Sequence, residues 1–123
     1  MDMISKEKIS PQTLNCYIAI KSRESNEIIK ELLSKPGINI NSYIPSNNKE
    51  DKTCILLELI DLGNIELIEF LLNLSDINVN ILNNKNQTPL MKIIIKYNYL
   101  TTNNRESLSL KSQYINMIKL LLF

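Results

Sequence analysis

Two neighbouring stretches of the chain carry apolar residues in different helical patterns. In residues 65–74, IELIEFLLNL, the apolar positions recur at i, i+3, i+4 and i+7, which predicts an amphipathic outer helix. The apolar stripe and its flank comprise Ile65, Ile68, Leu72, Leu67 and Leu71. Glu66 and Glu69 lie outside the stripe and are expected to be solvated charges. Residues 53–62, TCILLELIDL, are apolar on nearly every side, so we expect an inner helix that packs on both faces.

Turn signals separate these helices from their neighbours. Gly63 follows the inner stretch and permits the positive φ that a tight connection between two helices requires. Residues 75–87, SDINVNILNNKNQ, are rich in β-branched residues and Asn, and Asn83 and Asn84 can take left-handed turn conformations. We therefore expect a projecting hairpin after the outer helix.

A helix start follows the expected hairpin. Thr88 can accept a hydrogen bond from an orphan backbone N–H, and Pro89 suits the first helical position because its missing donor costs nothing there. Leu90 then begins the buried face. Thr-Pro-Leu therefore indicates the boundary at which a new helical unit begins.

The same layout recurs along the chain. NEIIKELLSKPGININ (26–41) aligns with IELIEFLLNLSDINVN (65–80), so that Leu33 corresponds to Leu72 at a spacing of 72 − 33 = 39 residues. A third copy opens at INMIKLLLF, where Leu122 matches Leu72 at a spacing of 122 − 72 = 50. Self-similarity on this scale is typical of repeat proteins, in which each unit buries its apolar face against its neighbours.

Composition narrows the class of protein. A chain of 123 residues suffices for one domain, and 44% hydrophobic with 22% charged residues is typical of a globular chain. A net charge of +1 gives no reason to expect a nucleic-acid partner. Histidine is absent, so the commonest general base and zinc ligand are missing.

No motif in the sequence indicates catalysis or a bound cofactor. A Gly-x-Ser-x-Gly elbow, a phosphate-binding glycine-rich loop and paired metal-ligand spacings do not occur. We therefore expect no enzyme activity, no catalytic, cofactor-binding or metal-binding residue, and no small-molecule substrate. Cys16 and Cys54 lie in apolar stretches and are expected in the core. No secretory signal or apolar run of about 20 residues occurs, which predicts a cytoplasmic protein without membrane contact.

Helix, tight glycine turn, helix, hairpin and Thr-Pro-Leu together resemble the ankyrin repeat. The resemblance rests on GNIELIEFLL, DINVN and NNKNQTPL. The family's Gly-x-x-Glu-hydrophobic-Val-x-x-Leu-Leu run is matched by Gly63, Glu66, Leu67, Ile68, Leu71 and Leu72. The resemblance implies an all-α repeat fold, a short ankyrin-type solenoid of stacked helix-turn-helix units with projecting hairpin loops.

The resemblance also implies a domain organisation. Residues 1–12 form a lead-in, residues 13–123 form the ankyrin-repeat domain, and its units span about 13–52, 53–87 and 88–123, the last incomplete. The sequence departs from the family in several places. Met91 stands where the family usually has His, and the first inner helix (13–21) is degenerate. The long spacings place exposed loop insertions at residues 42–51 and 97–113.

Degenerate units, long insertions and an Ile/Asn/Lys-rich composition are most similar to the ankyrin proteins of poxviruses. That resemblance implies a non-catalytic protein–protein interaction module that binds a host protein in the host cytoplasm. A link to a host ubiquitin ligase would require a longer chain with an F-box-like segment. The alternative is a vestigial, truncated product of a disrupted ankyrin gene with no partner of its own.

By the same resemblance, a protein partner would contact the hairpin tips and the inner-helix surface. The candidate residues are Tyr43, Ile44, Asn47, Asn48, Lys49, Asn83, Asn84, Lys85, Tyr97 and Tyr99. The chain ends in apolar residues that require a neighbour: Ile118, Leu121, Leu122 and Phe123. We expect an N-terminal fragment of a longer protein, or else a chain whose end folds back on itself or is covered by an oligomer partner.

Overall fold

The computed structural model describes residues 9–45, 52–74, 76–103 and 108–122, and within those ranges the fold is all-helical, as predicted, with six α-helices and no strand. The helices are α1 (Pro11–Lys21), α2 (Asn26–Leu33), α3 (Ile55–Leu62), α4 (Ile65–Leu72), α5 (Pro89–Asn103) and α6 (Leu108–Leu122). Each odd-numbered helix packs against the even-numbered helix that follows it. Further contacts join α2 to α4, α4 to α6 and α3 to α5, so that neighbouring helix pairs lie side by side.

Helix α3 is the most deeply buried element among the described residues. Its first six residues are all buried, from Ile55 through Ile60. This confirms the prediction of an inner helix that packs on both faces, with α4 and α5 as its neighbours. Helix α4 has the predicted amphipathic character, since Leu67, Ile68 and Leu71 are buried.

The turn after α3 contains the predicted left-handed glycine. Gly63 has a φ of 73°, and the backbone N–H groups of Gly63 and Asn64 donate to the carbonyls of Ile60 and Leu59. This is the Schellman arrangement, which satisfies carbonyls that the end of a helix leaves unpaired.

The same arrangement ends α1, without a glycine. Arg23 has a φ of 63°, and the N–H groups of Arg23 and Glu24 donate to the carbonyls of Ile20 and Ala19. A residue that has a β-carbon is sterically strained in the left-handed conformation, so Arg23 costs conformational energy that Gly63 does not.

Helices α2 and α4 have the same length and the same boundaries 39 residues apart. Ser25 caps α2 by accepting from the Ile28 N–H at 3.3 Å, and Asn64 caps α4 by accepting from the Leu67 N–H at 3.2 Å. A polar cap stabilises a helix start because it satisfies an orphan donor.

One carboxylate joins these two helices. Glu66 accepts hydrogen bonds from Lys30 Nζ at 2.7 Å and from Asn26 Nδ2 at 2.9 Å. Lys30 Nζ also lies 5.6 Å from the centroid of the Phe70 ring. Glu66 is exposed, as predicted, but it also makes an ion pair between α2 and α4 that the periodicity did not indicate.

The loops after α2 and α4 share a turn built on asparagine. The Asn41 N–H donates to Asn39 Oδ1 at 3.3 Å, and the Asn80 N–H donates to Asn78 Oδ1 at 2.9 Å. Asn41 Oδ1 also accepts from the Asn78 N–H at 2.7 Å, which ties one loop to the other. Turns of this kind are stable because the Asn side chain imitates a backbone carbonyl.

The predicted hairpin after α4 is wrong in two respects. Residues 76–87 contain turns but no strand, because the local Asn side chains satisfy backbone groups that a strand ladder would otherwise pair. Asn86, with a φ of 60°, adopts the left-handed conformation that was predicted for Asn83 and Asn84.

The predicted exposed loop at residues 97–113 is also wrong over most of its length. Helix α5 continues to Asn103, and α6 begins at Leu108. No Gly or Pro follows Pro89, so no residue with strong helix-breaking character interrupts α5. Tyr97 and Leu110 pack against the core, which gives the helical extension a buried face.

Helix starts agree with the sequence more closely than helix lengths do. Thr88 Oγ1 accepts from the Met91 N–H at 3.2 Å, which confirms Thr88 as the cap that precedes α5. Helix α1 begins at Pro11, two residues before the predicted start, because Ser10 Oγ accepts from the Thr13 N–H.

The two cysteines are buried free thiols, as predicted. Burial raises the pKa of the Cys16 thiol to about 11 and also raises the pKa of the Cys54 thiol. At the apolar end of the chain, Ile118 and Leu121 are half-buried and Leu122 is exposed, whereas Phe123 lies outside the described residues. In the described part of the chain, no helix is both long enough and apolar enough to cross a bilayer.

The two left-handed turns predict opposite effects of glycine. Replacing Gly63 with Ala should lower the free energy of unfolding by about 1 kcal/mol through backbone strain alone, because a β-carbon there meets no atom within 4 Å. Arg23→Gly should raise it by up to about 1 kcal/mol, and Arg23→Ala should not. Urea denaturation of the three variants measures these differences. A destabilising Arg23→Gly would contradict the assigned strain.

The Glu66 pair predicts a dependence of stability on pH. Hydrogen bonds from Lys30 and Asn26, together with the Lys30 charge, hold the pKa of Glu66 below its ordinary 4.5. The stabilisation is therefore present above that ordinary pKa and is lost as pH falls through the folded-state value. The stability difference between the native sequence and Glu66→Gln should shrink across this acidic range in denaturation curves.

Glu69→Gln provides the matched control for the pH experiment. It removes a carboxylate from the same helix and leaves the Lys30–Glu66 pair intact. A loss of equal size and equal pH dependence in both variants would show that general charge, rather than this pair, sets the acid response.

Candidate functional site

A groove of about 400 Å³ lies beside the odd-numbered helices and is bordered by the loops that precede α3 and α5. Its walls combine aromatic, charged and amide side chains. The lining residues are Tyr17, Ile44, Pro45, Lys52, Thr53, Leu57, Glu58, Asp61, Asn83, Asn84, Lys85, Gln87 and Lys92. Its volume lies within the usual range for ligand pockets, so it can also hold part of a peptide.

Two carboxylates on α3 form ion pairs at the groove. Glu58, whose side chain is only 12% exposed, accepts from Lys21 Nζ at 3.1 Å. Asp61 lies one turn further along α3 and pairs with Lys92 of α5. Because a buried charge is stable only with a partner, these pairs hold α1 and α5 in register with α3.

Tyr17 faces the same charges. Burial raises the pKa of the Tyr17 phenol, the negative charge of Glu58 raises it further, and the nearby Lys21 lowers it. Lys21 Nζ lies 5.9 Å from the centroid of the Tyr17 ring. The phenol therefore stays protonated at neutral pH and can act as a hydrogen-bond donor or acceptor toward a bound molecule.

The tip that borders the groove, residues 83–87, is held by the side chain of Asn83. Asn83 Oδ1 accepts from the N–H groups of Lys85 and Gln87, both at 2.9 Å. Its Nδ2 donates to Gln87 Oε1 at 2.9 Å, and its backbone N–H donates to the Gln87 carbonyl at 3.1 Å. The left-handed Asn86 completes the turn. Asn83 therefore fixes the position from which Lys85 projects.

The other border is tied to the first by hydrogen bonds. The Ile44 N–H donates to the Thr53 carbonyl at 2.8 Å, which closes the loop before α3. The Tyr43 hydroxyl donates to the Leu82 carbonyl at 2.7 Å, which joins that loop to the next one. The groove borders are thus connected to each other as well as to the helices.

Four of the ten predicted binding residues line this groove: Ile44, Asn83, Asn84 and Lys85. The prediction that these residues project from the surface is wrong for Ile44 and Asn83, which are 4% and 8% exposed. Each donates its backbone N–H across its own loop, Ile44 to the Thr53 carbonyl and Asn83 to the Gln87 carbonyl. Asn84 and Lys85 are exposed, as predicted.

Three other predicted residues have described positions, and none of the three lines the groove. Tyr43 is exposed and contacts the neighbouring loop through its hydroxyl. Tyr97 and Tyr99 belong to α5 rather than to a loop, with Tyr97 against the core and Tyr99 exposed. Asn47, Asn48 and Lys49 lie outside the described residues.

The sequence interpretation missed the charged and aromatic wall of the groove. The missed lining residues are Tyr17, Lys52, Glu58, Asp61 and Lys92. Glu58 and Asp61 offered one signal, since they are the only charges within the otherwise apolar ILLELIDL of α3. No group of three or more His, Cys, Asp or Glu side chains that could hold a metal ion occurs among the residues with described positions.

The hydrogen bonds of Asn83 predict a local stability effect. Asn83→Ala should lower the free energy of unfolding by about 1 kcal/mol or more, because it leaves two part-buried backbone donors, the N–H groups of Lys85 and Gln87, without their acceptor. Asn84→Ala, at the adjacent exposed position, should change it by less than about 0.5 kcal/mol. Chemical denaturation compares the two variants. Equal losses would mean that Asn83 does not organise the tip.

Comparison of this chain with protein-family models, with curated proteins and with solved structures found no match. The functional conclusion therefore rests on the residues and geometry of the chain itself.

Proposed function

We propose that this chain is a short ankyrin-type repeat protein that binds another protein through the groove beside α1, α3 and α5. The proposal involves no chemical step. Residue identity, loop geometry and exposed charge at the groove each support it.

The recurrence of local structure at a spacing of 39 supports the repeat interpretation. Helices α2 and α4, their caps and the asparagine turns that follow them occupy corresponding positions. Side-by-side packing of α2, α4 and α6, with α3 against α5, is the arrangement expected when like-built helix pairs bury one another.

One observation carries the binding proposal: two tied loops and the side of α3 that carries Glu58 and Asp61 meet at one groove lined with polar side chains. Lys52 and Lys85 are exposed at its borders, while the acidic groups in the wall are paired with lysines. Preorganised loops lower the entropy cost of association, which favours binding by a rigid surface. Charged groups at the edge then favour partners of complementary charge.

The partner class follows from the resemblance stated for the sequence. Similarity to viral ankyrin proteins makes a protein of the host cell the first class to test. A vestigial product without a partner is the alternative, and it predicts that no protein depends on the groove for binding.

Affinity capture with paired variants tests this function. The groove variant carries Asn84→Ala and Lys85→Ala, which remove two exposed tip side chains and leave the Asn83 hydrogen bonds in place. The control variant carries Lys35→Ala and Glu69→Ala, which lie on or next to the even-numbered helices away from the groove. A partner should be recovered by the native chain and the control, and the groove variant should recover at least about fivefold less, because hot-spot contacts dominate affinity.

Titration of the purified partner against the three proteins then measures the same difference directly. Equal affinity for all three would contradict the groove as the binding surface. Failure to recover any protein from several host-cell lysates would favour the vestigial alternative.

A further inference from the structure

The α5–α6 end of the protein exposes apolar side chains at positions that are buried in the preceding helices. Counting from Cys54 and Thr88, which stand immediately before α3 and α5, Leu57 corresponds to Met91 and Ile60 corresponds to Ile94. In α3 both positions are 1% exposed, whereas in α5 they are 49% and 39% exposed. Helix α3 packs against α5 of the next helix pair, whereas in the described chain no further helix pair packs against α5.

The α1–α2 end shows the complementary difference. Leu67 of α4 is fully buried, but Ile28, which occupies the same position of α2 39 residues earlier, is 44% exposed. Ile18 of α1 is 51% exposed on the same helix pair. Two opposite ends of the protein therefore carry apolar surface of the kind that its internal interfaces bury.

Charge distinguishes the two ends. Lys30 of α2 lies against Glu66 and Phe70 of α4, four residues apart. At the corresponding positions of α2, 39 residues earlier, stand Glu27 and Glu31, both exposed. The α1–α2 end thus presents two carboxylates where the internal interface presents one carboxylate and a ring.

The α5–α6 end presents the matching cation. Met117 of α6 corresponds to Leu67 of α4 at the spacing of 50, and both are fully buried. In the same alignment Lys119 corresponds to Glu69 of α4, which in turn corresponds to Lys30 of α2. Lys119 is exposed. Neither α5 nor α6 contains an acidic residue, and together they carry four lysines: Lys92, Lys96, Lys111 and Lys119.

We propose that copies of this chain associate head to tail, with the α5–α6 end of one copy packed on the α1–α2 end of the next. Lys119 lies between Glu27 and Glu31 of the second copy, as Lys30 lies between Glu66 and Phe70 within the chain. Met91 and Ile94 cover Ile18 and Ile28 of the second copy. A two-fold pairing of α5–α6 ends would instead bring Lys119 of both copies to the same contact with no acidic residue of α5 or α6 opposite it, which costs energy.

Head-to-tail contact is heterologous, so each added copy leaves a free end, and the assembly grows with concentration unless its rotation closes a ring. Sedimentation velocity over a range of protein concentrations should show successive additions of the 14.2 kDa chain rather than a fixed dimer. Raising the salt concentration should weaken association, because the charges at the contact are screened.

Charge reversal tests the assigned contact. Lys119→Glu, and separately the double variant Glu27→Lys with Glu31→Lys, should each raise the apparent dissociation constant about tenfold or more, because like charges then meet. A mixture of the two variants should associate again, since every contact between unlike copies restores opposite charges. Circular dichroism melting curves establish that each variant is folded, and Lys35→Glu serves as the surface-charge control.

Three results would overturn the proposal. The first is a chain that remains monomeric at all concentrations tested. The second is a closed dimer whose stability is unchanged by the reversal at Glu27 and Glu31. The third is a mixture of the reversed variants that associates no better than either variant alone. None of these results bears on the groove, so the test is independent of the proposed partner.

Discussion

The burial of helix α3 on both sides is the constraint on which the rest of the structure depends. Six successive residues of this helix are buried, and a helix with apolar residues all round is stable only between neighbours. Each large apolar side chain removed from water contributes about 1.5 to 3 kcal/mol, against a total stability of about 5 to 15 kcal/mol for a small domain. Packing of α4 and α5 around α3 therefore accounts for a large share of what holds the chain together.

This constraint also positions the groove. The side of α3 that carries Glu58 and Asp61 lines the groove, and its charges pair with lysines from α1 and α5. The loops that precede α3 and α5 border the same groove. They are joined by the hydrogen bond from the Tyr43 hydroxyl to the Leu82 carbonyl. The same packing that stabilises the helices thus brings polar side chains from distant parts of the sequence to one surface.

Local signals made part of this fold predictable from sequence. The outer helix, the inner helix, the turn at Gly63 and the cap at Thr88 each follow from periodicity, backbone freedom or capping within a few residues. The length of α5 does not follow from the repeat pattern, because a spacing of 50 residues predicts an inserted loop, whereas part of the insertion extends α5 to Asn103. Asn86, rather than Asn83 or Asn84, adopts the left-handed conformation because the side chain of Asn83 is hydrogen-bonded within the turn. Several asparagines lie close together in this segment, so composition alone does not show which of them makes those hydrogen bonds.

The candidate site was predictable only where it lies on loops. Asn84 and Lys85 belong to a polar segment between helices, and such segments project. The ion pair of Lys21 and Glu58 joins residues 37 positions apart, and no sequence period brings those two side chains together. Glu58 and Asp61 were visible as isolated charges in an apolar helix, but their partners become evident only in the packed structure.

Native-state hydrogen exchange measures the central constraint most directly. If the two-sided burial of α3 holds the fold together, amides of α3 and α4 should exchange only through global unfolding, with opening free energies equal to the stability from denaturant titration. Amides of α1, α2, α5 and α6 should open at lower free energies. Exchange of the α3 amides as fast as, or faster than, those of α6 would contradict the account.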